Sequence, residues 1–300
     1  MKWVRYSNGN YWVIINSEDG TKMRVSYTND DFYPEFPENI DLKITNWCDM
    51  SCPMCHEMSS VWGNHADLLN WKFIDTLTAG TELAIGGGKV TSHPQLIPFL
   101  KMLKKKGIIA NITIHQAELE NNKKLIEKLI KQKLIHGLGV SLVNPTVEVF
   151  DFAKKHSNVV FHLIAGISDP NIVHFASERG KFKFLVLGYK DFGRGHLYNC
   201  AHREIIELNI NKWICALPIL FDKVKVMSFD NLAIEQLKIK SMLSIPYYNQ
   251  VYMGDDSTFT MYIDLVEGKY AGNSTTPKEN RLPILANIVD MFNNIKNSCN

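Results

Sequence analysis

Ile40-Asp-Leu-Lys-Ile-Thr-Asn-Trp-Cys48-Asp-Met-Ser-Cys52-Pro-Met-Cys55-His56 is the stretch on which the reading of this chain turns. Its first six residues alternate apolar and polar and read as a β-strand. Three cysteines then fall within eight positions, directly past the strand's C-terminal end. Barrel-type α/β folds assemble their chemistry at such strand ends.

Outward from this stretch the chain keeps a strand–helix beat. Residues 68–77 read as a helix and Glu82-Leu-Ala-Ile as a strand ending in three glycines. Residues 93–106 form a helix stopped by Gly107. Strands are predicted at 108–115, 137–143, 159–167 and 181–188. Helices are predicted between them at 121–133, 144–156 and 169–180, and after them around 203–208. Strands alternating with single helices imply right-handed βαβ units and a parallel sheet. Six units predict an open, partial (β/α)6 barrel over residues 37–215. Before it, residues 1–36 read as a β-hairpin, with strands at 11–16 and 22–27 around the turn signal Glu18-Asp-Gly-Thr. After it, residues 216–300 predict an α+β extension packed on the barrel: a strand at 223–228, a hairpin from Phe259-Thr-Met-Tyr-Ile-Asp to Lys269-Tyr-Ala, and a helix at 285–295.

Three thiolates on one short loop can bind three irons of a [4Fe–4S] cluster and leave the fourth open to another ligand. Other readings use the same residues. Cys52-Pro-Met-Cys55-His56 is a C-x-x-C-H string of the kind that attaches c-type haem, but that leaves Cys48 unexplained. A zinc ion could take three cysteines and His56, although neighbouring Cys55 and His56 would chelate it with strain. Three ordinary buried thiols are the plainest reading.

The spacing C-x3-C-x2-C after the first strand of a parallel series resembles the radical S-adenosylmethionine (SAM) superfamily, over roughly residues 38–190. The resemblance implies that Cys48, Cys52 and Cys55 hold a [4Fe–4S] cluster, which with SAM forms the catalytic centre. It implies reductive cleavage of SAM and a 5′-deoxyadenosyl radical that takes hydrogen from a substrate, with electrons from a flavodoxin or ferredoxin-type donor. The family's Gly-Gly-Glu turn corresponds to Gly86-Gly87-Gly88, so a glycine stands where the glutamate for the SAM ammonium is expected. Further SAM contacts implied are Met54, Ser141, Asn144, Gly166, Leu187 and Tyr189. Asn144 serves equally well as a helix N-cap. A non-catalytic iron–sulfur or zinc-binding protein on the same scaffold is the alternative, kept open by Gly88.

Substrate groups should project from the strand ends. Candidates are His56 and Glu57 beside the cysteines, His115 and Gln116 after the third strand, and Lys190 and Arg194 in the loop Gly188-Tyr-Lys-Asp-Phe-Gly-Arg-Gly-His. Two cations among three glycines could receive an anionic substrate. Cys200 and Cys215 lie 15 residues apart, about 22 Å along one helix, too far to share a second cluster. They and Cys299 read as structural or terminal thiols.

Composition narrows the rest. The 300 residues carry 33 Lys and Arg against 31 Asp and Glu, a net charge of +2, so nucleic acid is not indicated as a partner. No window of about 18 apolar residues predicts a membrane span, and the first ten residues lack a secretory pattern. A cytoplasmic location is expected, where cysteines stay reduced or bind metal.

Overall fold

The computed structural model describes residues 3–26, 28 and 30–298. Tyr27, at the end of the expected hairpin, and Cys299 lie outside them. The N-terminal segment is a three-stranded antiparallel sheet: β1 (Trp3–Asn8), β2 (Tyr11–Asn16) and β3 (Lys22–Ser26), in that order. The hairpin expected from β2 and β3 thus gains β1, joined through Gly9 with its left-handed φ of 61°. Gly9-Asn10, between the paired Asn8 and Tyr11, was the readable turn signal for it.

The chain then builds one ten-stranded sheet. Its strands are β4 (Asn39–Thr45), β5 (Glu82–Gly87), β6 (Ile109–His115), β7 (Gly137–Ser141), β8 (Val159–Ile164), β9 (Lys183–Leu187), β10 (Val226–Phe229), β11 (Thr260–Asp264), β12 (Lys269–Ala271) and β13 (Leu282–Pro283). The order is β10-β9-β8-β7-β6-β5-β4-β11-β12-β13. The six expected strands are all present and parallel. The tail is not merely packed on them: β10 adds in parallel to β9, and β11 in parallel to β4. Only β12 is reversed, pairing antiparallel with β11 on one side and β13 on the other. Among the described residues β10 and β13 remain the sheet's edges, so it does not close.

The helices are α1 (Leu96–Lys106), α2 (Gln116–Asn121), α3 (Lys123–Lys131), α4 (Val147–Lys155), α5 (Asn171–Ser177), α6 (Arg194–Leu220), α7 (Asn231–Gln236), α8 (Ile239–Met242), α9 (Ile245–Val251) and α10 (Ile288–Ser298). The boundary expected at residue 215 falls inside α6, a helix far longer than the turn or two expected near 203–208. The helix expected at 68–77 shrinks to a 3₁₀ turn, Lys72–Thr76. Asp67 explains this: its carboxylate takes the Leu69 N–H at 3.0 Å and the Asn70 amide, local bonds that compete with a helical ladder.

Period-two alternation gives the sheet two different faces. Ile40, Leu42, Ile44, Leu83, Ile85, Ile112, Val140, Phe161 and Val186 are buried in one core with helix residues such as Phe99, Leu103, Phe150, Trp213 and Phe292. Phe150 of α4 meets Phe161 of β8 edge-on, centroids 5.4 Å apart. The opposite face carries Asp41, Lys43, Thr113, His162, Tyr262 and Asp264. A buried hydrophobic sheet needs no such residues, so this face is where chemistry belongs. The N-terminal sheet lies at the other end of the strands. Glu38, fully buried just before β4, accepts from Tyr11 at 2.6 Å and pairs with Arg24 at 2.8 Å. At β9, Lys183 reaches the Asp19 carbonyl at 2.9 Å.

Candidate active site

The cysteine loop leaves β4 and returns close to where it left. Ser60 N–H bonds the Asn46 carbonyl at 3.0 Å, and Cys48 N–H bonds the Ser60 carbonyl at 2.9 Å. Thr45 Oγ1 adds His65 Nδ1 at 2.8 Å and the Trp47 N–H at 3.0 Å. The result is a compact Ω-type loop with its ends stapled. Within it Cys55 N–H bonds the Cys52 carbonyl and Met58 N–H the Cys55 carbonyl, both at 3.2 Å.

Cys48, Cys52 and Cys55 are free thiols, each half-buried. Burial pushes the Cys48 and Cys52 thiols up; Cys55 raises Cys48 further, and Cys55 and Cys48 raise Cys52. A zinc ion with bonds of 2.3 Å draws its sulfurs to about 3.8 Å apart. Among the described residues no three His, Cys, Asp or Glu side chains converge on such a point. A [4Fe–4S] cluster takes three thiolates on three different irons, so its sulfurs sit farther apart than those around one zinc ion. The His56 ring packs edge-on against Phe192 at 5.3 Å, and its Nε2 lies 3.4 Å from Glu57.

The glycines at the end of β5 pass against the loop's entrance. Gly88 N–H bonds the Thr45 carbonyl and Lys89 N–H the Trp47 carbonyl, both at 2.7 Å. A Cβ on Gly87, whose φ is +116°, would lie 2.4 Å from the Thr45 oxygen, and one on Gly88 2.2 Å from the Trp47 oxygen. A Cβ on Gly86 would meet nothing within 4 Å. Gly88 is therefore more than a missing carboxylate: this backbone has no room for any side chain there. Lys89 ties the loop again, its Nζ 2.7 Å from Asp49.

Beside the loop lies a charged network that the sequence did not disclose. Lys43 Nζ sits 2.6 Å from Glu57 and 3.0 Å from Asp264. Arg281 Nη1 is 3.6 Å from Asp264, and Tyr262 donates to Glu57 at 3.3 Å. Lys43, Tyr262, Asp264 and Arg281 are buried. Burial pushes the Glu57 carboxyl up, but His56 and the Lys43 ammonium outweigh it and hold Glu57 well below the ordinary carboxylate range. Burial likewise opposes the Lys43 charge, and Glu57 and Asp264 overcome it. The readable signal was Asp41 and Lys43 on one face of an otherwise apolar strand.

The remaining expected residues divide. Met54 lies within the loop. Ser141 stands beside His115 and His162 across β6, β7 and β8. Leu187 ends β9 on the same polar face. Five others are spent on structure. Asn144 is not the helix cap: α4 starts at Val147, and the Asn144 backbone is bracketed by the Gln116 amide, which donates to its carbonyl at 2.5 Å and accepts its N–H at 3.1 Å. Gln116 is thereby occupied. His115 Nδ1 caps α2 through the Ala117 N–H at 3.1 Å. Gly166 and Tyr189 pack against α6, where a Gly166 Cβ would strike Ile206 at 2.8 Å. The buried Tyr189 hydroxyl donates to the Gly195 carbonyl at 2.6 Å, and burial pushes it up to about 12.

The cation pair expected to face an anionic substrate is also committed. Arg194 donates to the Cys52 carbonyl at 3.2 Å and the Ser59 carbonyl at 2.8 Å. Lys190 donates to Ser274 at 2.8 Å and lies within the field of Asp41 and Asp230. Cys200 and Cys215, expected as buried thiols, are both exposed. They lie on either side of a kink in α6 at His202, and the regular helix from 203 to 215 still spans about 18 Å, too far to share a cluster.

No protein-family model and no curated protein sequence matches the chain. The fold is shared with SuiB of Streptococcus suis. SuiB bound to the precursor peptide SuiA superposes with a TM-score of 0.66 at 12% identity, covering 97% of this chain and 87% of that one. SuiB bound to S-adenosylmethionine gives 0.64 at 13%, covering 97% and 86%. SuiB itself gives 0.60 at 13% identity, with the same coverage. Among the described residues no helix is long and apolar enough to cross a membrane.

Proposed function

We propose that this chain is a radical SAM enzyme. The observation that carries the reading is the set of three free, half-buried thiols on one stapled loop past β4, at the C-terminal edge of a parallel sheet of the SuiB fold. The SuiB complex with SAM supports the cofactor, and its complex with SuiA supports a peptide as the substrate class. The sheet from β4 to β9 is read as a partial (β/α)6 barrel wall, preceded by the N-terminal sheet and completed by the tail strands.

Cys48, Cys52 and Cys55 would hold a [4Fe–4S] cluster, and Gly86, Met54, Ser141 and Leu187 are the residues best placed to line SAM. The cluster and SAM, when bound, would supply one-electron chemistry for hydrogen abstraction from the substrate. The chain's own part is positioning. Arg194 and Lys89 fix the loop from outside, and the Lys43–Glu57 pair fixes its exit from within. With Gly88 unable to carry a carboxylate, backbone carbonyls at the β5 end are left to meet the SAM ammonium. A flavodoxin or ferredoxin-type donor and the cytoplasm complete the proposal.

Anaerobic reconstitution with iron and sulfide tests the cluster directly. A brown protein with about four irons is expected, lost in Cys48→Ala, Cys52→Ala or Cys55→Ala. A colourless protein binding one zinc would overturn it.

A further inference from the structure

Cys200 does not stand alone on α6. Its Sγ lies 3.7 Å from His196 Nε2, one helical turn earlier. The other nitrogen, His196 Nδ1, lies 3.1 Å from Asp191 Oδ1 in the loop before the helix. Asp191 is held in turn, its second oxygen accepting from Asn199 Nδ2 at 3.0 Å. A carboxylate accepting from Nδ1–H fixes the tautomer in which Nε2 is the free acceptor, and that nitrogen faces the thiol. Nucleophile, base and orienting acid are thus aligned. The three do not make a metal site, since no His, Cys, Asp and Glu group among the described residues converges on an ion.

From this alignment we infer that Cys200 is a histidine-activated nucleophile that exchanges with a disulfide. The choice of electrophile follows from the helix. Cys200 is the seventh residue of α6, two before the kink at His202, and its own N–H lies within the helical ladder. Attack on a carbonyl builds an oxyanion that needs converging N–H donors, whereas the polar group aligned on the Cys200 sulfur is the His196 ring alone among the described hydrogen bonds. Thiol–disulfide exchange builds no oxyanion. The Cys200 proton passes to His196 Nε2, and the thiolate attacks one sulfur of the disulfide. A new S–S bond forms at Cys200 as the old one breaks, and the leaving thiolate takes the proton back. The disulfide is the only oxidant consumed. The site is open, with the His196 side chain 59% exposed. It adjoins the cysteine loop, because α6 begins at Arg194, which bonds Cys52 and Ser59. The inference stands independently of the cluster.

Cys215, exposed on the same helix with no histidine bonded to it among the described residues, is the internal control. The full-length protein is treated at pH 7 with substoichiometric 4,4′-dithiodipyridine, and mixed disulfides at Cys200 and Cys215 are mapped by peptide mass spectrometry. Cys200 should react roughly tenfold faster than Cys215, as an activated thiol does over an ordinary one. His196→Gln should abolish that advantage and Asp191→Asn reduce it severalfold, while the Cys215 rate in each variant stays constant and reports intact folding. Equal rates in the parent protein, or an advantage that survives His196→Gln, would overturn the inference.

Discussion

Arg194 donates a hydrogen bond to the carbonyl of Cys52 at 3.2 Å, across 142 residues of sequence. The N-terminus of α6 is thereby fastened to the middle of the cysteine loop, and a second bond to Ser59 at 2.8 Å completes the clamp. Arg194→Ala should loosen the loop rather than remove a substrate contact. The reconstituted cluster of this variant should bleach severalfold faster in air, followed at the brown chromophore's absorbance, because two bonds that hold its ligand loop are gone. Unchanged bleaching with lost substrate turnover would return Arg194 to a substrate-facing role.

The glycine turn offers a matched pair of substitutions. Gly88→Ala puts a methyl 2.2 Å from the Trp47 oxygen, whereas Gly86→Ala meets open space. Gly88→Ala should cost about 1–3 kcal/mol in denaturant unfolding, as overpacking does, and Gly86→Ala should stay within about 0.5 kcal/mol. Equal costs would show that the β5 end does not press against the loop entrance.

Lys43 is the counterion of two carboxylates in a dry setting. Lys43→Met leaves Glu57 and Asp264 facing each other with only Arg281 and His56 to compensate. Breaking a buried pair in this way costs about 3–5 kcal/mol. Lys43→Met combined with Glu57→Gln should recover part of that loss, measured by chemical denaturation. A double variant no more stable than the single one would deny the coupling.

Burial pushes the His162 imidazole down to about 4, against an ordinary value near 6.5. The ring sits over Gly139, where a Cβ would lie 2.5 Å from it. Between pH 6.5 and 4 the unfolded chain binds a proton that the folded chain refuses. Stability is therefore full above pH 6.5 and falls as pH drops through that window. Between pH 7 and pH 5 the wild type should lose about 1–2 kcal/mol more than His162→Gln, read from denaturant midpoints.

The six strands β4 to β9 were legible because their alternation and the glycines after them are local signals. The three cysteines were legible for the same reason, their spacing being short. What was not legible depends on partners distant in sequence. Thr260–Asp264 carries no mark of pairing beside β4, since a parallel neighbour is chosen by tertiary contact. Lys43 and Asp264 are separated by more than two hundred residues and meet only once that pairing forms. Arg194 looked like a free cation because a sequence does not show where a side chain turns. Asp191, His196 and Cys200 were all visible, but their alignment required the bend of the Gly193 loop into α6, where Gly193 takes a φ of 57°.

The central claim is that the cysteine loop holds a cluster at which SAM is cleaved. Its most direct measurement is 5′-deoxyadenosine, quantified by chromatography after the anaerobically reconstituted protein is reduced with dithionite in the presence of SAM. The wild type should form it, and Cys48→Ala, Cys52→Ala and Cys55→Ala should not. A wild-type protein with a full complement of iron that forms none would contradict it, and would leave a cluster-bearing scaffold without SAM chemistry.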